Sequence, residues 1–267
     1  MKLSGLRALV IVVSAVALLS VLGLGYTVAD LENIASNELI PEISAAAGMA
    51  LASSYASTMT AADLEDMAAN GRTIGLRTAA SDALAILYRT KTEDELMAIL
   101  TGTADPMVRA AAIMPMQQYL ITKKSDDKDF VLTDYLKDLA INGKTHEMRL
   151  AAAEAYYFVS RSKLKAADLE AQATKSDSDE LAYAAGEALA GFYLSFNPKT
   201  QAELEDLAAN GASEGLRVAG EIALSSLLIQ SDLTAQDIET TLLSIANTKS
   251  AEYRGAYKIA LANRYAQ

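Results

Sequence analysis

One unit recurs in this chain at long range. Thr60–Leu84 reads TAADLEDMAANGRTIGLRTAASDAL, and Thr200–Leu224, 140 residues later, reads TQAELEDLAANGASEGLRVAGEIAL. A repeat of this length constrains the fold more than any other feature. Each copy is one supersecondary unit with an apolar face it cannot bury alone, so neighbouring copies must stack. A simpler spacing extends the repeat. A Leu is followed thirteen residues later by an Arg in Leu64/Arg77, Leu96/Arg109, Leu136/Arg149 and Leu204/Arg217. Leu242/Arg254 is the same pattern one residue shorter, Leu169 is followed by Ala182, and Leu31 by Ser44. Seven units result, beginning near Thr27, Thr60, Thr92, Thr133, Lys165, Thr200 and Thr234.

Each unit carries the punctuation of a helical hairpin. Thr92-x-x-Glu95 and Thr200-x-x-Glu203 are capping boxes, and Thr27, Thr60 and Thr234 carry Asp at the same offset. Asn70-Gly71, Asn142-Gly143 and Asn210-Gly211 stop the first helix, where a left-handed residue is expected. Asp105-Pro106 opens a second helix with an N-cap and a proline at the first helical position, and Thr145 and Ser213 stand ready to cap others. No stretch alternates with a period of two. Alanine dominates the second helices, which lets helix axes approach closely. Pro115 falls inside the second helix of the third unit and predicts a kink there. The prediction is an all-α protein: an α-solenoid of about seven stacked helical hairpins in an open superhelical row. The first unit would be a cap, and the fifth lacks its Arg for no evident reason.

Asp105-Pro106-Met107-Val108-Arg109-Ala110-Ala111-Ala112 resembles the second-helix signature of HEAT-like repeats, D-P-x-V-R-x-A-A. Met148-Arg149-Leu150-Ala151-Ala152 and Gly215-Leu216-Arg217-Val218-Ala219 fit the same frame. The resemblance covers residues 26–267 and implies the α-solenoid fold, with a concave face lined by second helices. It does not imply a particular function.

Residues 1–25 are different. Lys2 and Arg7 precede an unbroken apolar run from Ala8 to Gly25, which reads as a signal peptide or a single-span membrane anchor, an apolar helix ahead of the solenoid. Cleavage would fall after Gly25 or after Ala29, and a pilin-type leader cut after Gly5 is the remaining alternative. The positive-inside tendency places everything after Tyr26 outside the cytoplasm, in the cell envelope or secreted. There is no cysteine, so core packing alone must hold the exported part. The net charge of −11 argues against nucleic acid as a partner and against adsorption of the body to anionic lipid.

Residues that carry chemistry are sparse. His146 is the only histidine, and one His-Glu pair cannot assemble the metal centres found in some HEAT-like enzymes. The acidic stretches Ser125–Asp129 and Ser176–Glu180 lack the twelve-residue calcium-loop pattern. The repeated Arg77, Arg109, Arg149, Arg217 and Arg254 read as a structural ladder along the stack, with Asp105 as a helical partner for Arg109. Tyr88, Tyr193 and Tyr265 share one register and cover a seam between repeats or offer a stacking row for glycan or peptide. The outward register of the second helices passes through Gln117, Glu154, Tyr157, Arg161, Tyr183 and Glu187, the candidate partner-binding stripe.

These readings converge on an exported, non-catalytic scaffold with a protein partner and no cofactor. A self-assembling surface-layer or filament subunit is one alternative, suggested by an apolar C-terminal unit (Tyr253, Tyr257, Ile259, Leu261, Tyr265). An accessory protein related to HEAT-like bilin lyases is the other.

Overall fold

The computed structural model describes residues 25–267 apart from 38, 103–104, 125–129 and 247–248. The N-terminal apolar segment and the acidic stretch at 125–129 therefore lie outside the described residues. Within them the chain is all-helical, with no strand. Outer helices α1 (Val28–Ala35), α3 (Ala61–Asn70), α5 (Glu93–Thr101), α8 (Leu132–Asn142), α10 (Ala166–Thr174), α12 (Gln201–Asn210) and α14 (Ala235–Ile245) alternate with longer inner ones. The inner helices are α2 (Pro41–Thr58), α4 (Ile74–Leu87), α9 (His146–Ser160), α11 (Asp179–Ser195), α13 (Glu214–Gln230) and α15 (Ala251–Tyr265). In the third hairpin the inner helix is split into α6 (Pro106–Ala111) and α7 (Ile113–Leu120). The break at Ala112 is the consequence of Pro115, which has no N–H for the carbonyl of Ala111.

The capping residues act as the sequence predicts, and they do more. Thr27, Thr92, Thr200 and Thr234 form reciprocal capping boxes, so Asp serves as well as Glu at the third helical position. Where the inner N-cap is Thr or Ser, its hydroxyl accepts from the helix and also donates backward to the preceding hairpin. Thr73 donates to the Ala35 carbonyl at 2.6 Å, Thr145 to Leu100 at 2.7 Å, Ser213 to Ala173 at 2.8 Å and Ser250 to Ala208 at 2.6 Å. One small side chain thus starts a helix and ties two hairpins together. Gly71, Gly143 and Gly211 are not left-handed; their φ values are −55°, −57° and −51°. Glycine is required there by crowding. A Cβ on Gly143 would lie 2.6 Å from the Leu139 carbonyl oxygen and 3.0 Å from Cγ of Arg149.

Register in the last hairpin differs from the sequence expectation. The Ile238 amide bonds the Thr234 carbonyl as that of Leu64 bonds Thr60, so Ile238, not Leu242, is the equivalent residue. The connection to Arg254 is therefore longer than in other hairpins.

The row of hairpins closes into a ring. Inner helices pack in the order α2, α4, α6–α7, α9, α11, α13, α15, and α15 packs back against α2. The outer helix α14 of the last hairpin likewise touches α2 of the first, as α12 touches α15. The open superhelical row is thus corrected: two-helix units share a common wall, but no end is left free. The apolar C-terminal unit is covered by this closure. Tyr253, Tyr257, Leu261 and Tyr265 are buried, and the Tyr26 ring meets the Tyr265 ring edge-on at 4.7 Å. The first hairpin is one more unit of the ring and not a cap.

Two kinds of seam join the inner helices. In the first, the register Arg reaches forward to an acid of the next hairpin. Arg77 meets Asp105 at 3.2 Å, Arg109 meets Glu147 at 3.0 Å, Arg149 meets Glu180 at 2.7 Å and Arg217 meets Glu252 at 2.9 Å. Arg254 completes the circle on Glu42, at 2.5 Å and 212 residues away in sequence. Asp105 therefore serves Arg77 and not Arg109 along its own helix. The second seam explains the hairpins without Arg. Beyond Ser44 and Ala182 the helices approach backbone to backbone through Gly48 against Gly75 and Gly186 against Gly215. A Cβ on Gly48 would stand 2.1 Å from the Gly75 carbonyl oxygen, and one on Gly186 would stand 2.0 Å from that of Gly215. The Gly occupies the same place as the acid: Gly75 and Gly215 lie two residues before the register position, as Glu147, Glu180 and Glu252 do. Arg and acid appear together; where Ser44 or Ala182 replaces the Arg, glycine replaces the acid and a second glycine stands four residues past the register position.

Candidate functional site: the lumen of the ring

Closure turns the concave face of a solenoid into the wall of a lumen. Carboxylates from the second, fourth, fifth and sixth hairpins stand on the inner helices that form it. Asp82, Glu154 and Glu187 stand five residues after the register positions Arg77, Arg149 and Ala182; Glu221 and Lys258 stand four after Arg217 and Arg254. All are half-buried. Their mutual influence fixes the geometry: Glu187 feels both Glu154 and Glu221, and Lys258 of α15 acts on Asp82 of α4 and on Glu221 of α13. Residues far apart in sequence thus come within electrostatic reach of one another.

Burial dominates the ionisation of this group. It pushes the Asp82 carboxyl up to about 6 against the opposing pull of Lys258. Glu154 rises to about 7 through burial. Glu221 also reaches about 7, with burial outweighing Lys258 and Glu252 adding to the rise. Glu187 stands well above the ordinary carboxylate range through burial and the charges of Glu154 and Glu221. Tyr183, beside them, is shifted upward by burial and by the charges of Glu187, Glu221, Glu154 and Glu214. Carboxyls raised by burial, and by one another's charge, are what desolvation and like-charge proximity predict.

Of the stripe predicted for partner binding, Glu154, Tyr183 and Glu187 meet at the lumen. Tyr157 does not. It is buried, and its hydroxyl donates to Gln172 of the neighbouring outer helix. Arg161 lies beyond the end of α9, its guanidinium 4.1 Å over the Phe158 ring. Gln117 is half-buried on α7 and nothing joins it to the carboxylates. Asp82, Glu221 and Lys258 were missed by sequence reasoning, although a charge four or five residues past Arg77, Arg149, Ala182, Arg217 and Arg254 was a readable signal.

The tyrosine row has a different task from either one expected. Tyr88 donates to Glu65 at 2.8 Å, Tyr193 to Glu170 at 2.9 Å and Tyr265 to Glu239 at 2.7 Å, each within its own hairpin; Tyr55 reaches Glu32 in the same way at 3.2 Å. Their rings are buried and cannot stack on glycan or peptide. The row clamps inner to outer helix.

His146 is exposed, with Nδ1 3.0 Å from Glu180, the acid that also holds Arg149. Among the described residues no group of three or more His, Cys, Asp or Glu is arranged to hold a metal ion. With this geometry in hand, comparison with known proteins returns nothing: no family model, no characterised protein and no solved structure matches the chain.

Proposed function

We propose that this chain is an exported ring of HEAT-like hairpins that acts as a non-catalytic binding module at the cell envelope, held there by its N-terminal apolar segment. The observation that carries this reading is where the strong polar contacts go. The Arg–acid pairs join hairpin to hairpin, the tyrosine–glutamate pairs join helix to helix, and the cap hydroxyls do both. What is left for a ligand is the lumen, two rims and an outer wall. The wall repeats one polar pattern. Asn70, Asn142 and Asn210 each donate to an Asp four residues earlier, on Asp66, Asp138 and Asp206, at 2.8 Å. An evenly spaced acidic wall suits a protein partner with a basic surface.

Ring closure weighs against a filament built by stacking of free ends, because the ends already cover each other. A photo-crosslinking amino acid at position 66, 138 or 206 of the full chain, expressed in cells, tests the proposal. Discrete adducts with one partner are expected. Adducts at none of the three positions would remove the wall as the binding surface.

A further inference from the structure

The two rims of the ring differ. One carries the turns within hairpins. The other carries the connections between hairpins together with the described N-terminus at Gly25 and the C-terminus at Gln267. Three aromatic side chains are exposed among the described residues, and all three stand on this second rim. Phe196, at the end of α11, is 79 % exposed; Tyr119, near the end of α7, is 41 % exposed; Tyr26, ahead of α1, is 40 % exposed. Val28 and Val131 are exposed there as well. Cations share the rim. Arg161, Lys163 and Lys165 lie in the connection between α9 and α10, and Lys199 in the next one, three residues from Phe196. The nearest acids of those two connections, Asp168 and Glu203, are tied to the N-caps of α10 and α12. Lys123 and Lys124 follow α7; Asp126, Asp127 and Asp129 of that connection lie outside the described residues.

We infer that this rim faces a bilayer and docks on anionic phospholipid headgroups. Phe196, Tyr119 and Tyr26 enter the interface, and Arg161, Lys163, Lys165 and Lys199 meet the phosphates. Three observations agree: exposed aromatics on one rim only, cations in the connection that holds Phe196 and in the one before it, and a described chain that begins on the same rim, at Gly25. Aromatic rings prefer the headgroup level, and basic side chains near a negative surface each add to binding. The negative charge does not oppose this locally: the rim's own acids Asp30, Asp63, Glu95, Asp168, Glu203 and Asp237 are each bound at the N-cap of an outer helix, Glu93 is held by Lys123, and the acids of the outer wall lie to the side, where exposed charges more than about 10 Å apart are screened. The inference rests on the reading above that the N-terminal segment stays as an anchor; no helix of the described residues is long and apolar enough to cross a membrane itself.

The chain has no cysteine, so single probes can be placed without background. Full-length Asn197→Cys (this rim) and Ala212→Cys (the other rim) carry a fluorophore. Each is added from detergent to vesicles of phosphatidylcholine, with or without phosphatidylglycerol. Both variants should float with the vesicles and melt as the parent does. With phosphatidylglycerol, the probe at 197 should be quenched by brominated lipid and shielded from iodide, while the probe at 212 stays open. Lys163→Gln with Lys199→Gln should weaken the docking that shields the probe at 197 roughly fivefold per residue and leave flotation unchanged. Equal iodide access at 197 and 212 in floating protein would overturn the docking and keep the anchor. Failure to float would overturn the anchor and the docking with it. Shielding that persists without phosphatidylglycerol would overturn the assignment to anionic headgroups.

Discussion

At the scale of single residues, glycine and arginine are alternatives for one job. Where the inner helices touch backbone to backbone there is no space for a side chain, and Gly186→Ala would force a methyl against the Gly215 carbonyl. Overpacking of this kind costs about 3 kcal/mol, since backbone cannot step aside as a side chain does. Thermal unfolding should show the loss, and an unchanged midpoint would mean that the seam opens freely. Tyr193→Phe keeps the ring and deletes the hydrogen bond to Glu170. A bond to a partly buried carboxylate is worth about 1.5 kcal/mol, and the same unfolding measurement should find it. The spacing of these residues was readable from sequence. The reason for glycine at 186 and 215 was not, because it depends on a neighbour 29 residues away.

At the scale of elements, the ladder joins hairpins through ionised carboxylates. Burial opposes the charge of Glu180, but hydrogen bonds from Arg149, the backbone and His146 outweigh it and hold the carboxyl below its usual range. Glu147 is lowered likewise, with Arg109 overcoming burial. A depressed folded-state value means stability that is present above the ordinary carboxylate range and lost as pH falls through the lowered value. Glu180→Gln should therefore melt lower than the parent at pH 6 and converge with it in strong acid. A constant difference down to pH 2 would deny the ionic origin. Helix order, caps and hairpin pairing were all legible from the repeat. The left-handed turn expected at Gly71, Gly143 and Gly211 was not found, because an Arg folded over the turn selects glycine by crowding instead.

At the scale of the whole molecule, the lumen carboxyls act in the opposite sense to the ladder. Asp82, Glu154 and Glu221 are raised to about 6, 7 and 7. A raised carboxyl binds its proton more tightly when folded, so stability is greatest while it is protonated. That stability falls as pH climbs from the ordinary carboxylate range through the raised values. With the ladder asking for ionised acids and the lumen for neutral ones, maximum stability is expected near the ordinary carboxylate range, about pH 4 to 4.5, with a decline from there to about pH 7. Melting across that range checks it, and Glu154→Gln should flatten the alkaline side. A stability that rises steadily to pH 8 would sink this account. Closure has a consequence of its own. Arg254→Glu sets two acids face to face at the seam between α15 and α2 and should loosen the last hairpin, which hydrogen exchange would report as lost protection in α15.

The repeat by itself determined that the chain is helical, that it is built of hairpins, where each begins, and that an Arg recurs along the stack. These follow from short-range rules of helix capping, apolar spacing and small side chains. Whether the stack runs on or bends round to meet itself is a sum of small rotations between neighbours, which no local signal carries. Only the packing of α15 on α2 decided it. That closure turned an open concave face into a lumen, and it set acids from α4, α9, α11 and α13 where burial raises them and their charges act across the ring.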